Sequence, residues 1–341
     1  MRKMTMMLTL LALLLGGVIA QETHGVAPLS PRESVQVAYV PITKFGTLYV
    51  AADQGLFEKY GLDVVINRVA SGTEAIAFLE QGQIDVGGIA IVVSLWNGWS
   101  QGLDLRVIAP GGLEPFEDSP TKLMLRADLA DTVTSIADLR GRTVAVSGGP
   151  GSGGEYLAAK ALERDGLTIR DVNLVNVGNP DIPLSFESGA IDAGILGAPF
   201  ADQAESTGVA VPFATDLTPG LMTVAFVGSG RFVQERPEVA QRFALALLEA
   251  SRLMQGDDAL SDEIIEAFLA FQPGATAEGL RTGAPVVFDP NQAIPVDGLA
   301  DVERTHRENG RTEYEQPIDL SDVVDESFVQ WALGILGPYE E

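Results

Sequence analysis

The chain has 341 residues, no cysteine and a formal net charge of -25. The missing thiols exclude disulfides, thiolate metal sites and thiol nucleophiles. The acidic balance argues against a nucleic-acid partner, because phosphate contacts need clustered cations.

Arg2 and Lys3 precede an apolar run from Met4 to Leu15, broken only by Thr5 and Thr9, and Val18-Ile19-Ala20 offers a small-x-small cleavage site before Gln21. This is the pattern of a secretory signal peptide over residues 1–20, too short in its apolar core to span a bilayer comfortably. Residues 21–33 are expected to be a flexible mature N-terminus. No later segment holds the ~18 uninterrupted apolar residues of a membrane helix, and a lipid-bearing cysteine is absent. The expected location is therefore the periplasm, without a lipid anchor.

Val35 to Val40 reads as a buried strand, Pro41 to Gly46 as a loop, and Thr47 to Tyr60 as helical, with Gly61 ending the helix. Asp63 to Val69 is a second strand. Ser71-Gly72-Thr73-Glu74 is a capping box opening a helix through Glu80. Val86 to Val93 and Leu105 to Ala109 complete a first set of strands. A second set follows: Thr143 to Ser147, a glycine-rich loop Gly148 to Gly154, a helix Glu155 to Arg164, strand Val172 to Val177, a turn Asn179 to Asp181, a short helix Ile182 to Glu187, and strand Ile191 to Leu196. Pro237 to Leu253 is amphipathic, with Pro237 favourable at its first turn. The tail from Gly274 to Glu341 is expected to be helical with loops and to pack on the first lobe.

The two sets are copies. Gly61-Leu62-Asp63-Val64 with Gly82-Gln83-Ile84-Asp85-Val86-Gly87 recurs about 105 residues later as Gly166-Leu167-Thr168-Ile169 with Gly189-Ala190-Ile191-Asp192-Ala193-Gly194. Strands alternating with helices imply parallel sheets with right-handed crossovers. Polar links at Glu117 to Thr121 and Asp216 to Gly220 suggest that the chain leaves lobe one, builds lobe two and returns. The expected division is 34–118 and 218–341 for lobe one, and 119–217 for lobe two.

Two lobes make a cleft, and ligands of open parallel sheets sit beyond the carboxyl ends of the strands. That rule selects Thr43, Lys44 and Phe45 after the first strand, Ser71 and Thr73 after the second, and Ala90 after the third. In lobe two it selects Gly151, Ser152 and Gly153, then Asn179, then Pro199 and Phe200. Several precede helices, whose unpaired N–H groups favour an anionic or polar acceptor. Lys44 is the only lysine in these loops and suits a sulfonate, carboxylate or nitrate. Asp85 and Asp192 fall at strand starts, away from the cleft, and read as structural. Trp96 and Trp99 read as packing. Gly149-Pro150-Gly151-Ser152-Gly153-Gly154 satisfies G-x-G-x-x-G, with Asp171 about twenty residues on. It reads better as a loop whose backbone approaches a ligand closely, so no cofactor is expected.

Tyr39-Val40-Pro41-Ile42-Thr43, Ala51-Ala52-Asp53-Gln54-Gly55-Leu56-Phe57, Gly82-Gln83-Ile84-Asp85-Val86-Gly87, Asp138-Leu139-Arg140-Gly141-Arg142-Thr143-Val144-Ala145-Val146, Arg236-Pro237-Glu238-Val239 and Val324-Asp325-Glu326-Ser327-Phe328 stand in an order covering nearly the whole mature chain. Together they resemble exported substrate-binding proteins of ABC importers, in the group of nitrate-, sulfonate- and taurine-binding proteins and NMT1/THI5-like pyrimidine binders. The resemblance implies an α/β fold like the type II periplasmic binding proteins, with two lobes, each a mostly parallel sheet flanked by helices, and two crossover links. It implies a monomer that delivers a small-molecule ligand to an ABC permease at the inner membrane, served by a cytoplasmic ATPase. Tyr39-to-Thr43 leans toward nitrate- or sulfonate-type ligands; Tyr39 stands where a pyrimidine binder is expected to carry tryptophan. A pyrimidine precursor, another vitamin or an aromatic carboxylate remains the alternative ligand class. An enzyme is not expected: His24 and His306 lie outside the cleft loops, and no G-x-S-x-G, Walker or H-E-x-x-H motif occurs.

Overall fold

The computed structural model describes residues 26–69, 72–197, 200–273, 275–283 and 285–340. The expected signal peptide and His24 lie outside them. Lobe one begins with β1 (Glu33–Tyr39), α1 (Gly46–Asp53), α2 (Leu56–Lys59), β2 (Leu62–Arg68), α3 (Gly72–Glu80), β3 (Val86–Ala90), α4 (Val93–Ser100) and β4 (Leu105–Pro110). Lobe two follows with β5 (Lys122–Arg126), β6 (Thr143–Val146), α5 (Gly153–Glu163), β7 (Asn173–Asn176), α6 (Ile182–Glu187), β8 (Ala193–Leu196), α7 (Phe200–Ser206) and β9 (Ala210–Ala214). The chain then returns through β10 (Val224–Ser229), α8 (Gly230–Glu235), α9 (Pro237–Leu253), α10 (Asp262–Phe271), α11 (Ala277–Thr282), α12 (Val296–Glu308) and α13 (Ser327–Leu336).

The two sheets have the same plan. Their strand orders are β2-β1-β3-β10-β4 and β7-β6-β8-β5-β9. In each, the first strand is flanked by the second and third in parallel, and one antiparallel strand separates the third from the fourth. That antiparallel strand is β10 in lobe one and β5 in lobe two, the two strands that adjoin the links. The links run side by side: Ser119 N–H donates to Asp216 Oδ1 at 2.8 Å. Asp118 and Asp216 both take left-handed backbone (φ 55° and 48°), which aspartate tolerates better than most side chains.

The aspartates at the strand starts hold each sheet together in the same way. Asp85 Oδ2 accepts from Gln36 N–H of β1 at 2.8 Å, and its other oxygen meets Arg236 at 3.3 Å. Asp192 Oδ2 accepts from Thr143 N–H of β6 at 3.0 Å, and its other oxygen meets Arg126 at 3.5 Å. The glycines differ. Gly61 (φ 78°) abuts the N-terminal segment, where an added Cβ would lie 2.2 Å from the Leu29 nitrogen; Gly166 (φ 68°) has open space. Residues 26–32, expected to be flexible, are tied down here: Leu29 N–H donates to the Tyr60 carbonyl, and Arg242 donates to the Ala27 carbonyl.

The main lobe-one core lies between the sheet and α1, α9, α10 and α13, with Phe45, Phe226, Phe243 and Tyr49 at its centre. On the other side of the sheet a second cluster joins Trp96, Trp99, Leu95, Leu299 and Val302 with Tyr156 of lobe two. Two expectations change. The third strand stops at Ala90 instead of running to Val93, because Val92 caps α4 and Val93 opens it. The tail does not pack on lobe one alone: α13 lies on α9, but α12 touches both α4 and α5. It is fastened to lobe two by Tyr156 Oη–H to Asp301 (2.8 Å), by Lys160 to Asp301 (3.0 Å), and by Arg170 to the Glu308 carbonyl (3.1 Å). Leu299 and Val302 give α12 an apolar face toward the lobe-one sheet, while the Asp301 carboxylate ties the same helix to Tyr156 and Lys160 of lobe two.

Candidate ligand cavity

A cavity of about 260 Å³ lies where the lobes and the tail meet. Lobe one supplies Lys44, Ala90, Ile91, Val92, Glu114, Thr223 and Val224; α5 supplies Gly153, Tyr156 and Leu157; α12 supplies Val302 and His306.

Lys44 follows β1 on a short 3-10 turn. Its ammonium is not free: it donates to Glu114 Oε1 and to Thr223 Oγ1 (2.7 Å). The Lys44 side chain is 20% exposed and that of Glu114 only 7%. Glu114 is pinned by its backbone, donating to the Leu221 carbonyl (2.9 Å) and accepting from Gly220 N–H (3.1 Å). With so little water nearby, removing either member strands a charge, at a cost of about 3–5 kcal/mol in comparable buried pairs.

The glycine-rich loop approaches lobe one instead of standing open. Gly151 O accepts from Val93 N–H at 3.4 Å, and an added Cβ at Gly151 (φ 76°) would come 2.9 Å from the Val93 side chain. Ser152 caps α5, accepting from Glu155 N–H (3.2 Å) while its hydroxyl donates to the Ser147 carbonyl (3.0 Å). The start of α5 also holds a carboxylate of its own. Glu155, 0% exposed, accepts from Gly151 N–H (3.2 Å) and receives both Arg311 donors at 2.8 and 2.7 Å. Asp171 lies elsewhere, capping the turn at Thr168 N–H (2.8 Å) and pairing with Arg140.

His306 is the unexpected member. Although it lies outside the cleft loops in sequence, it is 1% exposed on α12, lines the cavity, and has its ring 6.0 Å from that of Tyr156. Neither ring nitrogen has a hydrogen-bond partner among the described residues. Burial pushes its pKa down to about 4; the Glu155 carboxylate works against that and the Arg311 guanidinium reinforces it. At neutral pH it is an uncharged imidazole with one N–H to give and one lone pair to share. Tyr156 is raised well above the ordinary phenol range, first by burial and then by its bond to Asp301, so it stays a neutral wall.

Lys44, Ala90 and Gly153 thus meet at one cavity, while Gly151 and Ser152 shape the loop behind it. Thr43 is engaged outside the cavity, accepting from Gln272 Nε2 at 3.0 Å. Phe45 is fully buried, edge-on to Phe226 at 5.4 Å, so it packs the core of lobe one and sandwiches no ligand. Trp96 and Trp99 are also core, 4.9 Å apart. Asn179 is exposed, and Phe200 is half-buried against the lobe-two core. Ser71 and Pro199 lie outside the described residues, as does the Thr73 side chain. The carboxyl-end rule, carried on to the fourth strand, would have found Glu114, which follows β4. No local signal marks His306, because α12 reaches the cavity only through its contacts with both lobes.

Comparison with known proteins agrees with this fold. A Brucella abortus (strain 2308) protein named "Putative binding protein BAB2_1146" is 26% identical over 227 residues, 64% of this chain and 66% of its own length. The Escherichia coli periplasmic aliphatic sulphonate binding protein SsuA superposes with a TM-score of 0.67 at 19% identity, over 86% of this chain and 92% of that one. The periplasmic nitrate-binding protein NrtA of Synechocystis PCC 6803 gives 0.65 at 17%, over 90% and 89%. The desulfurization enzyme DSZB shares the fold too, with a TM-score of 0.61 at 20% identity over 89% of this chain and 99% of its own. Residues 29–269 match the NMT1-like family, and the chain belongs to that family.

Proposed function

We propose that this chain is the solute-binding receptor of an ABC-type importer. It captures a small organic solute between its lobes in the periplasm and hands it, unaltered, to a permease at the inner membrane driven by a cytoplasmic ATPase. The observation that carries the reading is the 260 Å³ cavity walled by both lobes and the tail, on the fold of proteins whose names state sulphonate and nitrate binding. Closing two lobes around a guest is the use such a cavity has.

The same lining speaks against catalysis. Of the cavity's two hydroxyls, Thr223 Oγ1 accepts from Lys44 and Tyr156 Oη donates to Asp301, and among the described residues the one imidazole has neither a nucleophile nor an orienting carboxylate bonded to it. Nucleophile–base pairs need such bonds. Lys44, Ala90, Gly153, Tyr156, Leu157, Thr223, Val302 and His306 are the contacts we assign to the solute.

A thermal-shift screen of nitrate, sulfonates, carboxylates, pyrimidines and vitamins against the mature protein tests the reading. A true ligand at a hundred times its Kd adds about 2.7 kcal/mol of stability, several degrees in Tm. Conversion of a bound compound to product by the purified protein would replace the receptor with an enzyme.

A further inference from the structure

The cavity offers an anion two attractions, the Lys44 ammonium and the start of α5, and the chain sets a carboxylate of its own beside each. Glu114 sits on Lys44. Glu155 sits on Gly151 N–H at the entry to α5, clamped by Arg311. Neither acid has water to retreat to, with side chains 7% and 0% exposed. A solute anion that took Lys44 would leave Glu114 uncompensated in a dry site beside a second negative group, the arrangement that burial penalises most. What remains available is balanced. Lys44 and Glu114 cancel, His306 is uncharged, and the third ammonium N–H of Lys44 has no partner among the described residues. Ile91, Val92, Leu157 and Val302 offer an apolar wall.

We propose that Glu114 is a selectivity residue that closes the lysine subsite to simple anions, so that the solute taken by this cavity carries no net negative charge. The class is an uncharged or zwitterionic organic molecule, with an acceptor turned to Lys44, a polar edge turned to His306 and a compact apolar body on the opposite wall. This rests on the receptor reading above and narrows it.

The test uses mature protein (residues 21–341) with nitrate, methanesulfonate and acetate as probes, by isothermal titration calorimetry at pH 7.5. The two histidines of the chain make the His306 ring signals assignable by NMR in the same titrations. Wild type is expected to give no saturable binding up to about 10 mM. Glu114→Gln, or Glu114→Ala if the amide folds poorly, is expected to bind at least one probe at least about tenfold more tightly, with a shift of the His306 signals. Lys44→Met combined with Glu114→Gln is expected to abolish that gain. Binding of any probe by wild type that disappears in Lys44→Met overturns the proposal, as does a folded Glu114 variant that binds none. Failure of the receptor reading looks different: no solute of any charge then raises the Tm in the broad screen.

Discussion

The two sheets share a strand order, a pair of turn glycines and a pair of strand-start aspartates, yet their opposite ends differ. At the amino ends of the strands, Asp85 and Asp192 make equivalent bonds to the first strand of their sheets. At the carboxyl ends, β1 leads to Lys44 and its carboxylate partner, whereas β6 leads to a glycine loop that presses on Val93 of the other lobe. Duplication accounts for the scaffold end, where each copy has the same backbone bonds to satisfy. The cleft end faces one shared space from two sides, so the copies contribute different chemistry to it.

Substitutions at matched and unmatched positions test that contrast. The largest effect is expected at the tail, which has no duplicate. Arg311→Ala leaves Glu155 buried without its guanidinium and is expected to cost about 3–5 kcal/mol in urea denaturation; a loss near zero would mean that α12 is not anchored through this pair. Next come the turn glycines. Gly166→Ala carries only the left-handed backbone penalty of about 1–2 kcal/mol, while Gly61→Ala must also push the Leu29 backbone aside and is expected to cost at least about 1 kcal/mol more. Equal losses would show that the N-terminal segment is not held at Gly61.

His306 has a pH signature. Its folded pKa of about 4 lies below the ordinary value of 6.5, so between them the unfolded chain takes up a proton that the folded chain refuses. Its stability contribution is therefore complete above about pH 6.5 and lost as pH falls through about 4, a swing of about 3 kcal/mol. Carboxylates titrate over part of the same range, so wild type is compared with His306→Gln. The two stability profiles are expected to converge on acidification; profiles that stay parallel would place the imidazole in water. The smallest effects belong to the matched aspartates. Asp85→Asn and Asp192→Asn each weaken an arginine contact and a backbone bond, for about 1–2 kcal/mol apiece, and a large inequality between them would end the claim of equivalence.

Much of this architecture is legible from residue order. Alternation, glycine stops and the twofold motif locate the repeated units and their strands within a few residues, because hydrophobic period and turn chemistry act over short stretches of chain. The carboxyl-end rule selects Lys44, Ala90 and Gly153, which line the one cavity proposed for the solute. It misplaces Phe45, whose neighbour Phe226 is supplied by the returning strand β10, and it reads Lys44 as available because Glu114 stands seventy positions away.

Residue order alone implies two like α/β units, the approximate spans of their repeated strands, and which loops lie at the open end of each sheet; these follow from interactions among near neighbours. It takes the folded chain to make the cavity charge-compensated and to close it with the tail's buried, uncharged His306. Those outcomes depend on bringing residues 44, 114, 155, 306 and 311 together and on removing water around them, and both are properties of the assembled chain.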